Sequence, residues 1–198
     1  RLIYEFVATI EKKELELYIH IPFCVRKCNY CDFLSFPADE DTQRQYVKAL
    51  CKEIFYYGAH CRDYVVSTVY IGGGTPSWLR ESDMAEIMDA VPKNFALLPD
   101  AEVSVECNPG TVTAQKFAVY GQSGINRISL GLQSAQNVEL KMLGRIHTWE
   151  QFLKTYELAR AGGFSNINVD LMSSLPGQHM ESYADSLQKV CRLKPEHI

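Results

Sequence analysis

Five short segments of the chain are rich in β-branched and aromatic residues, and each either alternates apolar with polar positions or is mostly apolar. Residues 15–21 show the alternation most clearly, because every second residue there is leucine or isoleucine. Both patterns indicate β-strands that are half or fully buried. The five predicted strands span residues 15–21, 65–71, 101–106, 126–131 and 166–172.

The segments between these strands carry helix start and stop signals. Thr148 and Gln151 match a capping box, and the helix that they open should end near Gly162 and Gly163. The other predicted helices run from Asp41 or Thr42 to about Tyr57, from Ser82 to about Val91, from Thr113 to about Gln122, and from beyond Gly177 to about Arg192. Strand and helix alternate five times, which predicts a parallel sheet with right-handed crossovers.

The predicted fold class is α/β, with a parallel barrel that is open or incomplete. A closed α/β barrel has eight units of about 30 residues each, whereas residues 15–198 supply five clear units. We interpret residues 1–14 as an N-terminal leader and residues 15–198 as one core domain. Residues 194–198 resemble the approach to a further strand, so we expect the core to be truncated at its C-terminus.

Composition narrows the class of protein. The chain has 198 residues, of which 46% are hydrophobic and 22% charged, as in ordinary globular domains. Its net charge of -4 argues against broad attraction to nucleic acid or membranes, and no apolar run reaches the ~18 residues of a spanning helix. The seven cysteines are an odd number and three are clustered, which favours metal or redox use over disulfides. We expect a cytoplasmic protein.

The cysteine cluster is the most informative motif in the chain. Cys24, Cys28 and Cys31 have the spacing C-x3-C-x2-C directly after the first predicted strand. Three thiolates on one loop can hold three corners of a four-iron cluster, whereas a pure electron carrier normally uses four cysteines. The fourth iron is then open to a small molecule.

A zinc site is the alternative interpretation of this loop. His20 lies four residues before Cys24 and completes an H-x3-C-x3-C-x2-C pattern that is able to give tetrahedral ligands. The position of His20 inside a predicted strand is poor for wrapping a metal. The remaining cysteines are scattered and are interpreted as buried small apolar residues: Cys51, Cys61, Cys107 and Cys191.

Other candidate residues follow the predicted strands. The run Gly72-Gly-Gly-Thr-Pro76 lets a ligand approach the backbone without Cβ clashes, although a flexible turn has the same composition. Glu106 and Asp170 end strands that are otherwise apolar, and we favour ligand contacts for them over turn capping. Gln133 and Arg145 follow the fourth strand; Arg145 is able to hold a carboxylate through two hydrogen bonds, and an ordinary surface ion pair is the alternative. Arg127 is interpreted as structural, and His147 and His179 as solvated loop residues.

The cysteine loop resembles that of the radical S-adenosylmethionine (SAM) enzymes. That resemblance implies a 4Fe–4S cluster whose open iron binds the amino and carboxylate groups of SAM. One electron from the cluster then breaks the sulfonium C–S bond and gives a 5′-deoxyadenosyl radical. It also implies a partial (β/α)6 barrel and a reduced compartment.

Several ordered motifs together resemble the oxygen-independent coproporphyrinogen III oxidase family, the HemN/HemW family, which includes HemW-like heme chaperones. They are Tyr18-Ile-His-Ile-Pro-Phe-Cys24, Cys28-Asn-Tyr-Cys-Asp-Phe33, Gly72-Gly-Gly-Thr-Pro76, Val105-Glu-Cys-Asn-Pro-Gly110, Asn126-Arg-Ile-Ser-Leu-Gly-Leu-Gln133, Leu143-Gly-Arg-Ile-His147, Asn168-Val-Asp-Leu-Met172 and Leu175-Pro-Gly-Gln178.

This resemblance implies roles for twelve residues. The cluster ligands are Cys24, Cys28 and Cys31. Residues around the SAM on the cluster are Tyr18, Gly73 and Glu106. Residues that surround a second SAM in the oxidase branch are Tyr30, Gly74, Thr75, Gln133, Arg145 and Asp170.

One position departs from the oxidase branch. That branch has a further cysteine two places after the third ligand, where this chain has Phe33, and Cys31-Asp32-Phe33 is similar to the heme-chaperone branch. The resemblance therefore implies a protein that binds heme and transfers it to acceptor proteins, with an electron donor protein as a further partner. The alternatives are an oxidase that decarboxylates coproporphyrinogen III to protoporphyrinogen IX, and a radical SAM enzyme that modifies heme.

Overall fold

The computed structural model describes residues 12–198, which form one parallel sheet covered by helices. Its strands lie side by side in chain order, and each neighbouring pair is parallel. The strands are β1 (Lys13–Ile21), β2 (Tyr64–Gly73), β3 (Leu97–Cys107), β4 (Arg127–Gln133) and β5 (Ile167–Leu171). This order is the one that successive right-handed β-α-β crossovers produce.

Helices connect successive strands, and α6 follows β5. They are α1 (Glu40–His60), α2 (Glu81–Asn94), α3 (Ala114–Gln122), α4 (Asn137–Met142), α5 (Trp149–Ala161) and α6 (Met180–Leu193), with a short 3-10 helix at Pro76–Trp78. The α4 helix has six residues and carries no strong capping signal, so the sequence pattern did not reveal it.

Helix starts were predicted with mixed success. Thr113 caps α3, and Thr148 with Gln151 forms the expected capping box of α5. The predicted caps of α1 were wrong, because the Asp39 carboxylate accepts the hydrogen bond from the Thr42 backbone N–H. The prediction that Ser82 caps α2 was also wrong, since α2 begins at Glu81 and its N-cap residue, Arg80, makes no side-chain capping bond. Short polar residues are crowded at these starts, and several of them satisfy the same local preference.

The two faces of the sheet differ in polarity. One face carries apolar strand residues such as Ile71, Val105 and Leu130, which pack with helix residues in a single buried core. On the opposite face the alternation places polar side chains, including Glu106 and Ser129. A polar inner face leaves room for a ligand where a closed barrel would be filled by side chains.

The sheet is open, as expected for a partial barrel. β1 lies at one edge, and at the other edge His197 forms a parallel bridge with Asn168 of β5. The predicted approach of the last residues to a further strand position is therefore confirmed. β1 begins at Lys13, two residues before the predicted core boundary. Most of the predicted leader, residues 1–11, lies outside the described residues. Within residues 12–198, every helix is too short or too polar to traverse a bilayer.

Candidate functional site

A cleft at the carboxyl ends of the strands brings together all but one of the twelve predicted site residues. Parallel strands end at the same edge of the sheet, so residues distant in sequence converge there. The predicted residues that line the cleft are Cys24, Cys28, Tyr30, Cys31, Gly73, Gly74, Thr75, Glu106, Gln133, Arg145 and Asp170.

Tyr18 is the exception. Its side chain is 61% exposed on edge strand β1, and it does not line the cleft. Its hydroxyl lies 3.0 Å from Nδ1 of His20, and its ring stacks on Tyr70 at a centroid distance of 6.3 Å. Tyr18 is thereby connected to the cleft through Tyr70, whose hydroxyl donates to Glu106.

The cysteine loop is fixed at its base by backbone hydrogen bonds. The N–H of Cys24 donates to the Phe36 carbonyl at 3.1 Å, and the N–H of Phe36 donates to the Pro22 carbonyl at 2.9 Å. All seven cysteines have free thiols, with Cys24 buried and both Cys28 and Cys31 half-buried. Three soft donors facing one cleft are suited to iron and sulfide.

The glycine run is built against this loop. The N–H groups of Gly74 and Thr75 donate to the carbonyls of Ile21 and Phe23 at 2.8 and 2.7 Å. A Cβ on Gly74 would lie 2.7 Å from the Phe23 carbonyl oxygen and 3.0 Å from Cys24 Sγ. The Thr75 hydroxyl donates to the same sulfur at 3.4 Å. Gly74 therefore has a steric role, and the run is more than a flexible turn.

The zinc alternative fits this geometry poorly. His20 uses both ring nitrogens within the fold: Nδ1 contacts the Tyr18 hydroxyl and Nε2 lies 3.0 Å from the Leu34 carbonyl oxygen. Across residues 12–198, no group of three or more His, Cys, Asp or Glu side chains is placed to hold a metal ion. Because both ring nitrogens of His20 have partners, His20 is not free to serve as the fourth ligand of a single ion.

Glu106 is the best-organised carboxylate of the cleft. Its oxygens accept hydrogen bonds from the Tyr70 hydroxyl at 2.8 Å and from the Gly73 N–H at 3.0 Å. Burial raises the pKa of Glu106, and these two hydrogen bonds oppose the rise because they favour the ionised form. A partly desolvated carboxylate at this edge can accept from a ligand ammonium or hydroxyl group.

Arg145 connects the cysteine loop to the ends of β3 and β4. Its guanidinium donates to the Asn108 side-chain oxygen at 2.7 Å and to the Gly131 carbonyl at 2.6 Å. The same group approaches Cys28 Sγ at 3.7 Å and the Tyr30 hydroxyl at 3.4 Å. A guanidinium held beside a sulfur of the cysteine loop is able to bind a ligand carboxylate through two parallel hydrogen bonds.

Asp170 and Gln133 complete the far side of the cleft. Asp170 is exposed, and its carboxylate accepts from the Asn168 amide at 2.7 Å and the Ser129 hydroxyl at 3.4 Å. Gln133 ends β4 with φ of 73°, a left-handed conformation that is uncommon for a residue with a side chain. Strain of this kind is typical of ligand sites.

Several cleft residues were missed by the sequence analysis. They are Arg26, Phe33, Asn108, Ser129 and Gly131. Ser129 and Gly131 share the inner face of β4 with Gln133, so alternation along the strand was an available signal. Asn108 is found only through its contact with Arg145, because the order of residues along the chain does not reveal that pair.

Some interpretations outside the cleft were wrong. His147 is 3% exposed rather than solvated, and Cys191 is exposed rather than buried. Cys107 is buried as expected, and burial raises the pKa of its thiol to about 12. Arg127 has the structural role expected, because its guanidinium lies 3.8 Å from the Glu102 carboxylate and donates to Ser104.

Comparison with known proteins agrees with this geometry. The family model of the Radical SAM superfamily matches residues 18–190. Heme chaperone HemW of Escherichia coli is 41% identical over 185 residues, which are 93% of this chain and 49% of the relative. Heme chaperone HemW of Haemophilus influenzae is 38% identical, over 93% of this chain and 49% of the relative.

A solved structure extends the agreement to the fold. Coproporphyrinogen III oxidase (HemN) from Escherichia coli, described as a radical SAM enzyme, superposes with a TM-score of 0.86 at 31% identity. The superposition covers 94% of this chain and 43% of that one. The chain spans about half the length of the curated relatives that it matches.

The match to the superfamily covers the cysteine loop, the glycine run and every strand end of the cleft. This family implies a 4Fe–4S cluster and SAM as cofactors. The three free cysteines, the half-buried Glu106 carboxylate and the Arg145 guanidinium are suited to those groups. The chain belongs to the Radical SAM superfamily.

Proposed function

We propose that Cys24, Cys28 and Cys31 are the protein ligands of a 4Fe–4S cluster. Support comes from their free thiols on the wall of one cleft and from the backbone contacts that fix the loop. Thr75 donates toward Cys24 Sγ and Arg145 toward Cys28 Sγ, so both sulfurs are held in place on the wall of the cleft. The bound cluster supplies an open iron and an electron.

SAM is proposed to lie in the same cleft. Gly73 and Gly74 let the methionyl part approach the backbone, and Glu106 accepts from its ammonium or ribose groups. Tyr30, Thr75, Gln133, Arg145 and Asp170 line the rest of the cleft and are proposed to contact SAM or a second SAM. Tyr18 is proposed to act from outside, by holding Tyr70 against Glu106.

The function that these observations support best is heme binding and transfer. The observation that carries this proposal is the similarity to heme chaperones over 93% of this chain. Phe33 also supports it, because the oxidase branch has cysteine at that position. On this proposal the longer protein binds heme, passes it to acceptor proteins and receives electrons from a donor protein. We propose that residues 15–198 are its radical SAM core and that it works in the reducing cytoplasm.

The second candidate is anaerobic oxidation of coproporphyrinogen III to protoporphyrinogen IX. It is favoured by the superposition on coproporphyrinogen III oxidase and by the retained Gln133, Arg145 and Asp170. The two candidates share the cluster and SAM, and they differ in whether the tetrapyrrole is changed.

Heme titration and product analysis test the choice. The full chain is loaded anaerobically with iron and sulfide, titrated with heme by absorbance, and then mixed with a heme-free acceptor protein. Separately, it is incubated with coproporphyrinogen III, SAM and a reductant. We expect stable heme binding, transfer to the acceptor and no protoporphyrinogen. Formation of protoporphyrinogen with stoichiometric 5′-deoxyadenosine would establish the oxidase candidate instead.

A further inference from the structure

A second cleft lies between the cysteine loop and the loop that joins α4 to α5. It has a volume of about 640 Å³, within the range of ligand sites. Arg26 and Arg145 line both this cleft and the candidate site, so the two are neighbours. We call it the cation cleft, because its charged lining residues are Arg26, Lys27, Lys141 and Arg145.

The charge of the cation cleft is uncompensated. No carboxylate side chain lines it, and none of its four cations forms an ion pair with any of residues 12–198. The nearest acidic neighbour in the hydrogen-bond pattern is Glu150, which accepts from Asn137 at the rim. A concave positive surface on a chain with a net charge of -4 attracts anions locally.

Buried polar atoms at the cation cleft also lack partners. Both ring nitrogens of His147, which is 3% exposed, and Nε of Arg145 have no hydrogen-bond partner within the described part of the chain. Together they are three of the four buried side-chain atoms in that state across residues 12–198. An unpaired buried donor carries a free-energy cost, which a bound acceptor that reaches it removes; the Arg145 Nε–H and the single N–H of a neutral His147 ring are such donors.

The walls of the cation cleft are held together before any ligand arrives. Arg26 donates to the Gly144 carbonyl at 2.7 Å, and the side chain of Asn29 donates to the Met142 carbonyl at 2.8 Å. The N–H of Asn29 donates to the Leu143 carbonyl at 3.0 Å. Gly144 has φ of 72°, and a Cβ there would lie 3.0 Å from the Asn29 side-chain oxygen. These contacts use the backbone carbonyls, and the Lys141 side chain has no hydrogen bond or ion pair among residues 12–198.

Apolar surface adjoins the cations. Ile146 lines the cation cleft and is 36% exposed, while α4 exposes Val138 and Met142 on the turns that flank Lys141. A simple inorganic ion would not use this surface. An amphipathic molecule that combines carboxylates with an apolar body would use both.

We propose that the cation cleft binds the carboxylates of an amphipathic small molecule. Resting on the proposed function, these are the propionate carboxylates of the tetrapyrrole, which heme and coproporphyrinogen share. Lys141 and Lys27 attract the carboxylates, and the apolar ring lies toward Ile146. The tetrapyrrole would then sit beside Arg145, which separates it from the cleft that holds the cysteines.

The test uses protoporphyrin IX, because it carries the two propionates but no iron for another residue to ligate. The full chain with its cluster loaded is titrated with protoporphyrin IX and with its dimethyl ester, which lacks the negative charges. We expect the free acid to bind about tenfold more tightly than the ester. Lys141→Glu should remove that preference, and Lys141→Arg should restore it.

The matched control is Lys154→Glu, which makes the same charge change at an exposed lysine of α5 that does not line the cation cleft. It should bind both porphyrins as the unaltered chain does. Equal affinity for acid and ester, or an unchanged preference in Lys141→Glu, would overturn the site. Slower cluster reduction by an acidic donor protein in Lys141→Glu, with porphyrin binding unchanged, would assign the surface to protein docking instead. A chain that prefers the acid but transfers no heme would retain the site and refute the chaperone proposal.

Discussion

His147 is buried and has no hydrogen-bond partner among residues 12–198, and its burial makes the stability of the fold depend on pH. Burial and the nearby charge of Arg145 lower its pKa from 6.5 to about 3. The Leu132 carbonyl opposes this lowering, but it does not reach hydrogen-bond geometry. The unfolded chain binds a proton below about pH 6.5 while the folded chain stays neutral, so stability falls as the pH falls from 6.5 toward 3.

This linkage predicts a difference between His147→Phe and the unaltered chain. When the pH falls from 7 to 5, His147 should lower the free energy of unfolding of the unaltered chain by about 2 kcal/mol. His147→Phe lacks this group, so its free energy of unfolding should fall by about 2 kcal/mol less. Urea unfolding of both proteins at the two pH values measures the difference. If His147→Phe and the unaltered chain have the same pH dependence, folding does not lower the pKa of His147.

The burial of Glu106 should lower the stability of the fold, whereas its carboxylate should strengthen ligand binding. Burial raises its pKa, so its ionised form is disfavoured by the fold at neutral pH and becomes less costly to bury as the pH falls. Glu106→Gln should therefore unfold at the same or a higher temperature than the unaltered chain. Its SAM affinity should fall about tenfold, because a charge-assisted hydrogen bond is lost. Calorimetry of both properties checks this, and unchanged SAM affinity would remove Glu106 from the site.

Cys28 and Cys107 form a matched pair for testing the ligand set. Both line the cleft, but only Cys28 belongs to the cysteine loop, and burial holds the pKa of Cys107 at about 12, which keeps its thiol protonated. Cys28→Ala should lose the brown absorbance and the bound iron, while Cys107→Ala should keep both. Iron and sulfide analysis after anaerobic reconstitution measures the outcome. Full iron in Cys28→Ala, or its loss in Cys107→Ala, would contradict the assignment.

At the scale of elements, the turn after β2 packs so closely on the cysteine loop that a larger residue in the turn would shift the loop. A Cβ on Gly74 would come within 2.7 Å of the Phe23 carbonyl oxygen and 3.0 Å of Cys24 Sγ. Gly74→Ala should therefore displace Cys24 and lower the retained iron, while the sheet, whose core lies on the other face, keeps its circular dichroism. Iron content after anaerobic reconstitution measures the effect on the cysteine loop, and far-ultraviolet circular dichroism measures whether the fold is kept.

Gly121→Ala is the control for this substitution. Gly121 lies in α3, and the nearest atom to an added Cβ would be 3.9 Å away on Phe164. Alanine should leave the iron content unchanged and stabilise the helix by up to about 1 kcal/mol. Equal iron loss in both variants would mean that general destabilisation, rather than the Cys24 contact, is responsible.

The elements also show what sequence can and cannot predict. Strands were recognised because their alternation reflects the polar and apolar faces of the sheet, and Thr148 with Gln151 is a capping pair with few competitors. The start of α1 was misplaced because Asp39, Asp41 and Thr42 have similar capping preferences. Burial of His147 depends on how the α4–α5 loop packs, and no local pattern carries that information.

At the scale of the whole molecule, the order and direction of the strands explain why residues distant in sequence meet in one cleft. Residues from Cys24 to Asp170 meet in one cleft because five parallel strands end at one edge. The sequence motifs therefore predicted the members of the cleft well. They did not predict cross-contacts such as Arg145 with Asn108 or the cation cleft, because those depend on loops that approach each other only after folding.

The same arrangement separates the cluster loop from the structural core. The core residues lie between the helices and the apolar face of the sheet. The cysteine loop is held instead by hydrogen bonds, at its base and from Arg26 and Asn29 to backbone carbonyls of residues 142–144. Removing iron with a chelator under anaerobic conditions should therefore leave the helix and strand content intact. SAM binding should weaken at least about tenfold, and proteolysis should begin between residues 24 and 36. Circular dichroism, SAM titration and mapped cleavage sites measure these effects, and cooperative unfolding on iron removal would mean that the cluster is part of the core.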